Sequence, residues 1–151
     1  MNIRQLQNED GDLKKVIGLL VEHFVPEHKM GALSAINVNL EKGVKWVIYN
    51  VSEMTFGVED NGKLVGTLGL HRTSPWYSDS EYLADGWFYV LPEYRKTGVG
   101  KMLVDAAKKY AAEANLPLII GVFTSEDADT KAQVMQRLGL TMVGGLFATG
   151  V

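Results

Sequence analysis

The sequence predicts an α/β protein whose mixed sheet carries helices on its faces, in the order β-α-α-β-β-β-α-β-α-β. Three observations predict it. The hydrophobic period switches from steps of three and four to steps of two and back along the chain. An Asp60-Asn61-Gly62 tripeptide separates two alternating runs, the signature of a tight hairpin. The run Leu118-Ile119-Ile120-Gly121-Val122-Phe123 is apolar on both faces, as a buried central strand would be. No Ser/Pro linker, composition shift or repeat divides the 151 residues, so 1–151 is expected to form one domain.

Each element has its own reason. Residues 2 to 7 alternate weakly, as a first strand. Asp10 can cap a helix whose apolar positions Leu13, Val16, Ile17, Leu20, Val21 and Phe24 share one face, and Pro26 is expected to end it. A second helical stretch carries Leu33, Ile36, Leu40, Val44 and Val47, with Gly43 as a break. Thr55 to Glu59 and Leu64 to His71 form the hairpin arms, and Tyr82 to Leu91 another strand. Val99, Leu103, Ala106, Ala107, Tyr110, Ala111 and Ala114 make one apolar stripe on a helix that closes at Leu116-Pro117. After the central strand, Asp127 or Asp129 can cap a helix that runs through Leu138 to Gly139, and Thr141 to Ala148 reads as a final strand.

Composition excludes several classes. With 46% hydrophobic and 22% charged residues the chain can bury a core. A net charge of −3 disfavours bulk electrostatic binding of nucleic acid. There is no cysteine, which removes disulfides, thiolate metal sites and an acyl-thiol intermediate. His23, His28 and His71 lack ligand spacing, so no metal is expected. No leader pattern and no run of about 20 apolar residues is present, so a cytoplasmic protein without a membrane span is the expectation.

The segment Tyr89-Val90-Leu91-Pro92-Glu93-Tyr94-Arg95-Lys96-Thr97-Gly98-Val99-Gly100-Lys101 joins a strand to the N-terminus of the strongest helix. Amides there have no intrahelical partner and face the positive end of the helix dipole, which suits a phosphate. Two glycines let a bulky anion approach the backbone. Residues 93 to 109 hold Arg95, Lys96, Lys101, Lys108 and Lys109 against Glu93 and Asp105, a local +3 that leaves −6 for the remainder. A small polyanion fits that distribution better than an extended nucleic acid; a plain tight turn with solvated lysines is the alternative. A Walker loop would need glycine at Arg95 and Ser or Thr at Met102, and the dinucleotide fingerprint a glycine at Leu103.

Arg-x-x-Gly-x-Gly after a strand ending Val-x-Pro resembles the GNAT superfamily of N-acetyltransferases, over Val90 to Gly100 and, in element order, nearly the whole chain. The resemblance implies a mostly antiparallel sheet of six to seven strands with helices on both faces. It implies acetyl-CoA as cofactor, with its pyrophosphate on the amides of Arg95, Lys96, Thr97, Gly98, Val99, Gly100 and Lys101. Phe88, Tyr89 and Val90 are expected to bulge and to offer main-chain groups to the pantetheine arm, the amide of Val90 or a neighbour stabilising an oxyanion. Transfer to a primary amine would then be direct, in a ternary complex.

An ammonium must lose a proton before it attacks. Asp85 is the first candidate for the base and Glu81 the second; relatives place the acid where this chain has Gly86. Met135 stands where relatives carry the tyrosine that protonates the leaving thiolate, so Tyr89 or Tyr94, or solvent, would serve. The polar turn Ser125 to Asp129 lacks the cofactor-touching asparagine of many relatives. Seven of fourteen aromatic residues lie between 76 and 94, and Trp76, Tyr77 and Tyr82 with Phe24, His28 and Trp46 suggest an aromatic acceptor site for a cationic small-molecule or peptide amine. A CoA-binding module without turnover and a toxin-like acetylation of charged tRNA are the competing readings. The chain stops soon after its last strand, where relatives add another, leaving an edge that a second subunit in a homodimer could cover.

Overall fold

The computed structural model describes residues 1–29, 36–122, 127–147 and 149. Leu33, Phe123, Ser125 and Ala148 of the expected elements lie outside them. The elements are β1 (Asn2–Gln5), α1 (Asp10–Leu19), a π turn (Leu20–Phe24), α2 (Val25–Lys29), α3 (Leu40–Glu53), β2 (Met54–Asp60), β3 (Lys63–Thr73) and β4 (Tyr82–Val90). A 3₁₀ turn (Pro92–Tyr94), α4 (Val99–Ala114), β5 (Leu118–Ile119) and α5 (Ala128–Arg137) complete the chain. The sheet runs β1-β2-β3-β4-β5, antiparallel throughout except for the parallel β4–β5 pair that α4 connects.

Turn chemistry sets the hairpin: Asn61 and Gly62 both have positive φ, 49° and 79°, as a two-residue loop that follows strand twist requires. Register then assigns faces. Gly66 pairs with Val90, and a Cβ at Gly66 would lie 2.6 Å from Val99 Cγ1, so this face carries α4. Tyr89, Thr67, Gly69 and Trp87 lie on the opposite face, toward α1, α2 and α3. Both faces of β3 are therefore covered, and Val65, Leu68 and Leu70 are fully buried. Asn115, in the left-handed conformation, closes α4 by donating its amide to the Ala112 carbonyl.

Several expectations are corrected. Pro26 does not end the first helix; the chain opens into the π turn just before it and continues helically to Lys29. The wider turn relieves the clash between a proline ring and the carbonyl four residues earlier. Gly43 does not break α3, which runs through it from an Asn39 cap whose side chain accepts from the Lys42 amide at 3.1 Å.

Among the described residues the sheet has five strands, not six or seven, and no strand forms over 141–147. Gly144-Gly145 supplies no side chains to pack there, and β5 is two residues long, too short a template. Nor is β5 a buried central strand: Ile119 is 43% exposed. β5 pairs only with Leu83 and Ala84, because the next residue, Asp85, takes the Gly121 amide on its own Oδ1 at 2.9 Å. That side-chain bond replaces the ladder bond that would have extended the strand.

Candidate functional site

β4 and β5 pair only at Leu83 with Leu118 and Ala84 with Ile119, so a gap in the ladder, the cleft of this site, runs along the edge of β4 from Asp85 to the loop that precedes α4. The bulge expected at Phe88–Val90 lies earlier: Gly69 pairs with Trp87 and Leu70 with Asp85, leaving Gly86 as the extra residue. A Cβ at Gly86 would sit 2.5 Å from Asn50 Oδ1 of α3, so Asn50 fills the space where an acidic side chain would have stood. Phe88 to Val90 keep regular register with β3. The Leu91 amide donates to the Val65 carbonyl, and antiparallel alternation then turns the main-chain groups of Phe88 and Val90 away from β3, into the cleft.

The loop offers backbone more than side chains. The amides of Tyr94, Arg95 and Thr97 are spent on the carbonyls of Leu91, Pro92 and Tyr94. The first bond of α4 is Met102 N–H to Gly98 O at 3.0 Å, so the amides of Lys96, Gly98, Val99, Gly100 and Lys101 donate to no main-chain acceptor among the described residues. Gly98 has φ +91°, which demands glycine. Gly100 is different: a Cβ there would meet only Phe88 Cζ, at 3.7 Å, so the fold does not need a glycine at this point. A missing side chain beside free amides is what an anion as large as a pyrophosphate requires.

Most of the local cations are committed elsewhere. Arg95 Nη2 donates to both Glu27 oxygens at 2.8 and 2.7 Å, and its Nε to the Val90 carbonyl at 2.9 Å. Lys101 pairs with Asp105, Lys109 lies 4.0 Å from Glu113, and Lys108 caps the Leu138 carbonyl at the end of α5 at 2.9 Å. Only Lys96 has no such partner among the described residues. Attraction for an anion therefore rests on the oriented amides, the α4 dipole and Lys96.

Asp85 is half-buried at the apex of the cleft. Burial raises its carboxyl above the ordinary range, against the pull of the Gly121 amide. Glu81 is exposed at the other end of β4. Tyr89 is buried, and its hydroxyl donates to Glu27 Oε2 at 2.8 Å. Burial and the neighbouring Glu27 carboxylate push that phenol up to about 12, so it stays protonated. Tyr94 OH donates to Asp60 at 2.8 Å and braces the hairpin. Met135, half-buried on α5, can supply no proton.

The aromatic acceptor candidates fall into two groups. Phe24 packs edge-on to Tyr89 at 5.9 Å and stacks on His28 at 4.0 Å, at the cleft. Tyr82 opens β4 at its far end, about 26 Å of strand from Val90. The neighbouring loop carries Trp76 and Tyr77, 96% and 74% exposed. Trp46 stands over His71 at 5.0 Å on α3. Glu27 and Gly121, which hold Arg95 and Asp85, are missed by sequence reasoning, since each acts through a contact made only in the folded chain.

Residues 24–140, which span the parted strands and the glycine turn with its five free amides, match the family model described as the acetyltransferase (GNAT) family. The chain belongs to the GNAT family. It is thus an acyl-transferring enzyme of a family that uses acetyl-CoA. No curated protein matches it in sequence. Similar GNAT folds include an aminoglycoside acetyltransferase from an uncultured soil metagenomic sample, in complex with sisomicin, at 18% identity and TM-score 0.68, with 99% of this chain and 95% of that one covered. The aminoglycoside N-acetyltransferase AAC(6')-Iy in complex with CoA is 18% identical with TM-score 0.68, covering 98% and 92%. A ribosomal-protein-alanine N-acetyltransferase from Brucella melitensis biovar Abortus 2308 is 13% identical with TM-score 0.65, covering 100% of both chains. Among the described residues of this GNAT chain, no helix is long and apolar enough to cross a membrane.

Proposed function

We propose that the protein transfers an acetyl group from acetyl-CoA to a primary amine by direct attack in a ternary complex. The observation that carries this reading is the set of five free amides, those of Lys96 and of Gly98 to Lys101, beside the parted strands. Those amides, with Gly100 open above them, would hold the pyrophosphate. Bound acetyl-CoA supplies an activated thioester. The Val90 N–H, turned into the cleft, is placed to stabilise negative charge on the reacting carbonyl oxygen, and Phe88 main-chain groups to steady the pantetheine arm. Asp85, its proton affinity raised by burial, accepts through a chain of waters along the strand the proton that the acceptor ammonium loses, and the neutral amine then attacks the thioester carbonyl. The leaving thiolate, with a pKa near ~8.5, is protonated by solvent, since Tyr89 OH is held by Glu27 and Met135 has no proton to give.

The acceptor is a cationic amine entering beside the rings of Phe24, His28 and Tyr89. Small-molecule amines such as those the aminoglycoside enzymes act on, and peptide amines, both suit it. Thiol release from acetyl-CoA across a panel of polyamines, aminoglycosides and peptide amines tests the reaction. Turnover with at least one amine is expected, and a protein that binds acetyl-CoA but never consumes it is instead a cofactor-binding module, the reading that Met135 favours. Normal CoA binding by a G98V/G100V chain would remove the cofactor assignment.

A further inference from the structure

Arg95 opens the glycine loop, yet its guanidinium is engaged by acceptors outside that loop. One edge grips the Val90 carbonyl, the other the Glu27 carboxylate, and its carbon lies 5.4 Å over the Tyr89 ring. Glu27 gathers three donor bonds in all, two from Arg95 and one from Tyr89, and reaches them from α2, 68 and 62 residues away in sequence. We propose that Glu27 is a positioning residue of the acyl-transfer site: it draws Arg95 off the phosphate-binding amides and onto the Val90 carbonyl, so that the strand end receives the guanidinium.

The proposal rests on the acetyl-CoA reading of the loop. Three observations support it. Arg95 and Glu27 are 37% and 38% exposed, and an ion pair so open to water adds little to stability, so holding the fold together is a weak reason for it. Its bonds converge instead on the peptide that carries the chain from β4 into the 3₁₀ turn, beside the Val90 N–H. Lys131 of α5 also acts on Glu27 and His28 through its charge, so the carboxylate answers to two cations, Arg95 and Lys131. Burial alone would raise the Glu27 carboxyl, but the Arg95 and Tyr89 bonds hold it below the usual range, ionised throughout the neutral region.

Removing only the charge separates this role from a structural one. In E27Q the Arg95 charge is released beside the anion site, and Coulomb attraction predicts that CoA binds about threefold or more tightly at low ionic strength, the gain fading with salt. Loosened structure would weaken binding instead. Titration calorimetry of the full chain with CoA as the probe reads the difference. E27D is expected to restore wild-type affinity, and in an R95M background the E27Q gain should vanish. Wild-type or weaker CoA binding by folded E27Q, or a gain that persists without Arg95, overturns the proposal. If the wild-type chain itself fails to bind CoA, the cofactor reading of the loop falls, and this proposal with it.

Discussion

At Asp85 the proposed role as proton acceptor and stability pull in opposite directions. Its folded carboxyl titrates above the unfolded value because ionisation in a half-buried site is costly. Between those two values the folded chain binds more protons than the unfolded one, so stability falls as pH rises through the window, and the ionised side chain is a burden at neutral pH. Asn in its place keeps an oxygen for the Gly121 amide and removes the charge. Asp85→Asn is therefore expected to raise the melting temperature at pH 7 by about 2–4 °C and to leave it unchanged below pH 4, while acetyl transfer drops by about 10²–10⁴. Calorimetric scans at the two pH values and a rate assay check both halves; a fall in Tm at pH 7 would contradict the burial argument. The two loop glycines divide differently. Gly98→Ala strains a positive φ and should cost on the order of 1–2 kcal/mol, measured by urea unfolding. Gly100→Ala meets only ordinary contact with Phe88, so Tm should stay near wild type while CoA affinity falls about tenfold or more as the anion's approach narrows.

Elements governed by local rules could be read from the sequence. Asn61-Gly62 dictates its turn and the apolar stripe dictates α4, while Asp127 does stand at the start of α5 but caps no amide there, its carboxylate accepting from the Thr130 hydroxyl instead. Elements decided by distant contacts could not. Pro26 reads as a stop because nothing nearby announces the π turn that absorbs it. The length of β5 depends on Asp85, 36 residues earlier, taking its Gly121 amide. The site divides the same way: the glycine turn and the i,i+4 pairs Lys101–Asp105 and Lys109–Glu113 carry their own signal, but the fates of Arg95 and Lys108 depend on Glu27 and Leu138, far away in sequence. Packing between α3 and the β4 bulge is equally invisible to local pattern. Asn50 is fully buried against Gly86, bonding the Trp46 carbonyl through Nδ2 at 2.9 Å, and its Oδ1 has no partner among the described residues. Gly86→Ala would drive a methyl into that oxygen and is expected to destabilise by about 1–3 kcal/mol. Adding Asn50→Ala should return part of the loss, a non-additivity that chemical denaturation of the four-member cycle would measure.

Across the whole molecule, acid stability turns on a surface network that ties three elements together. Arg4 of β1 bonds Asp12 of α1 at 2.6 and 2.9 Å and Glu59 of β2 at 2.7 Å, with Lys15 adding a contact to Glu59 at 3.3 Å. The Arg4 bonds lower the Asp12 carboxyl to about 2, and Arg4 and Lys15 outweigh burial to lower Glu59 as well. For a lowered carboxyl the contribution is present above its unfolded pKa and is lost as pH falls through the folded value, here from about 4 toward 2. Arg4→Met should accordingly lower Tm at pH 7 and match the wild type near pH 2, in thermal scans across that range. Gly66 has a wider reach. Its bare α-carbon lets Val99, the first residue of α4, sit directly on the third strand. Positions 66 and 99 are thus bound to a shared history: a lineage that gains a side chain at one must lose bulk at the other, or the free amides shift under their ligand. Substitution in the middle of a strand that touches no substrate would then register as altered cofactor affinity.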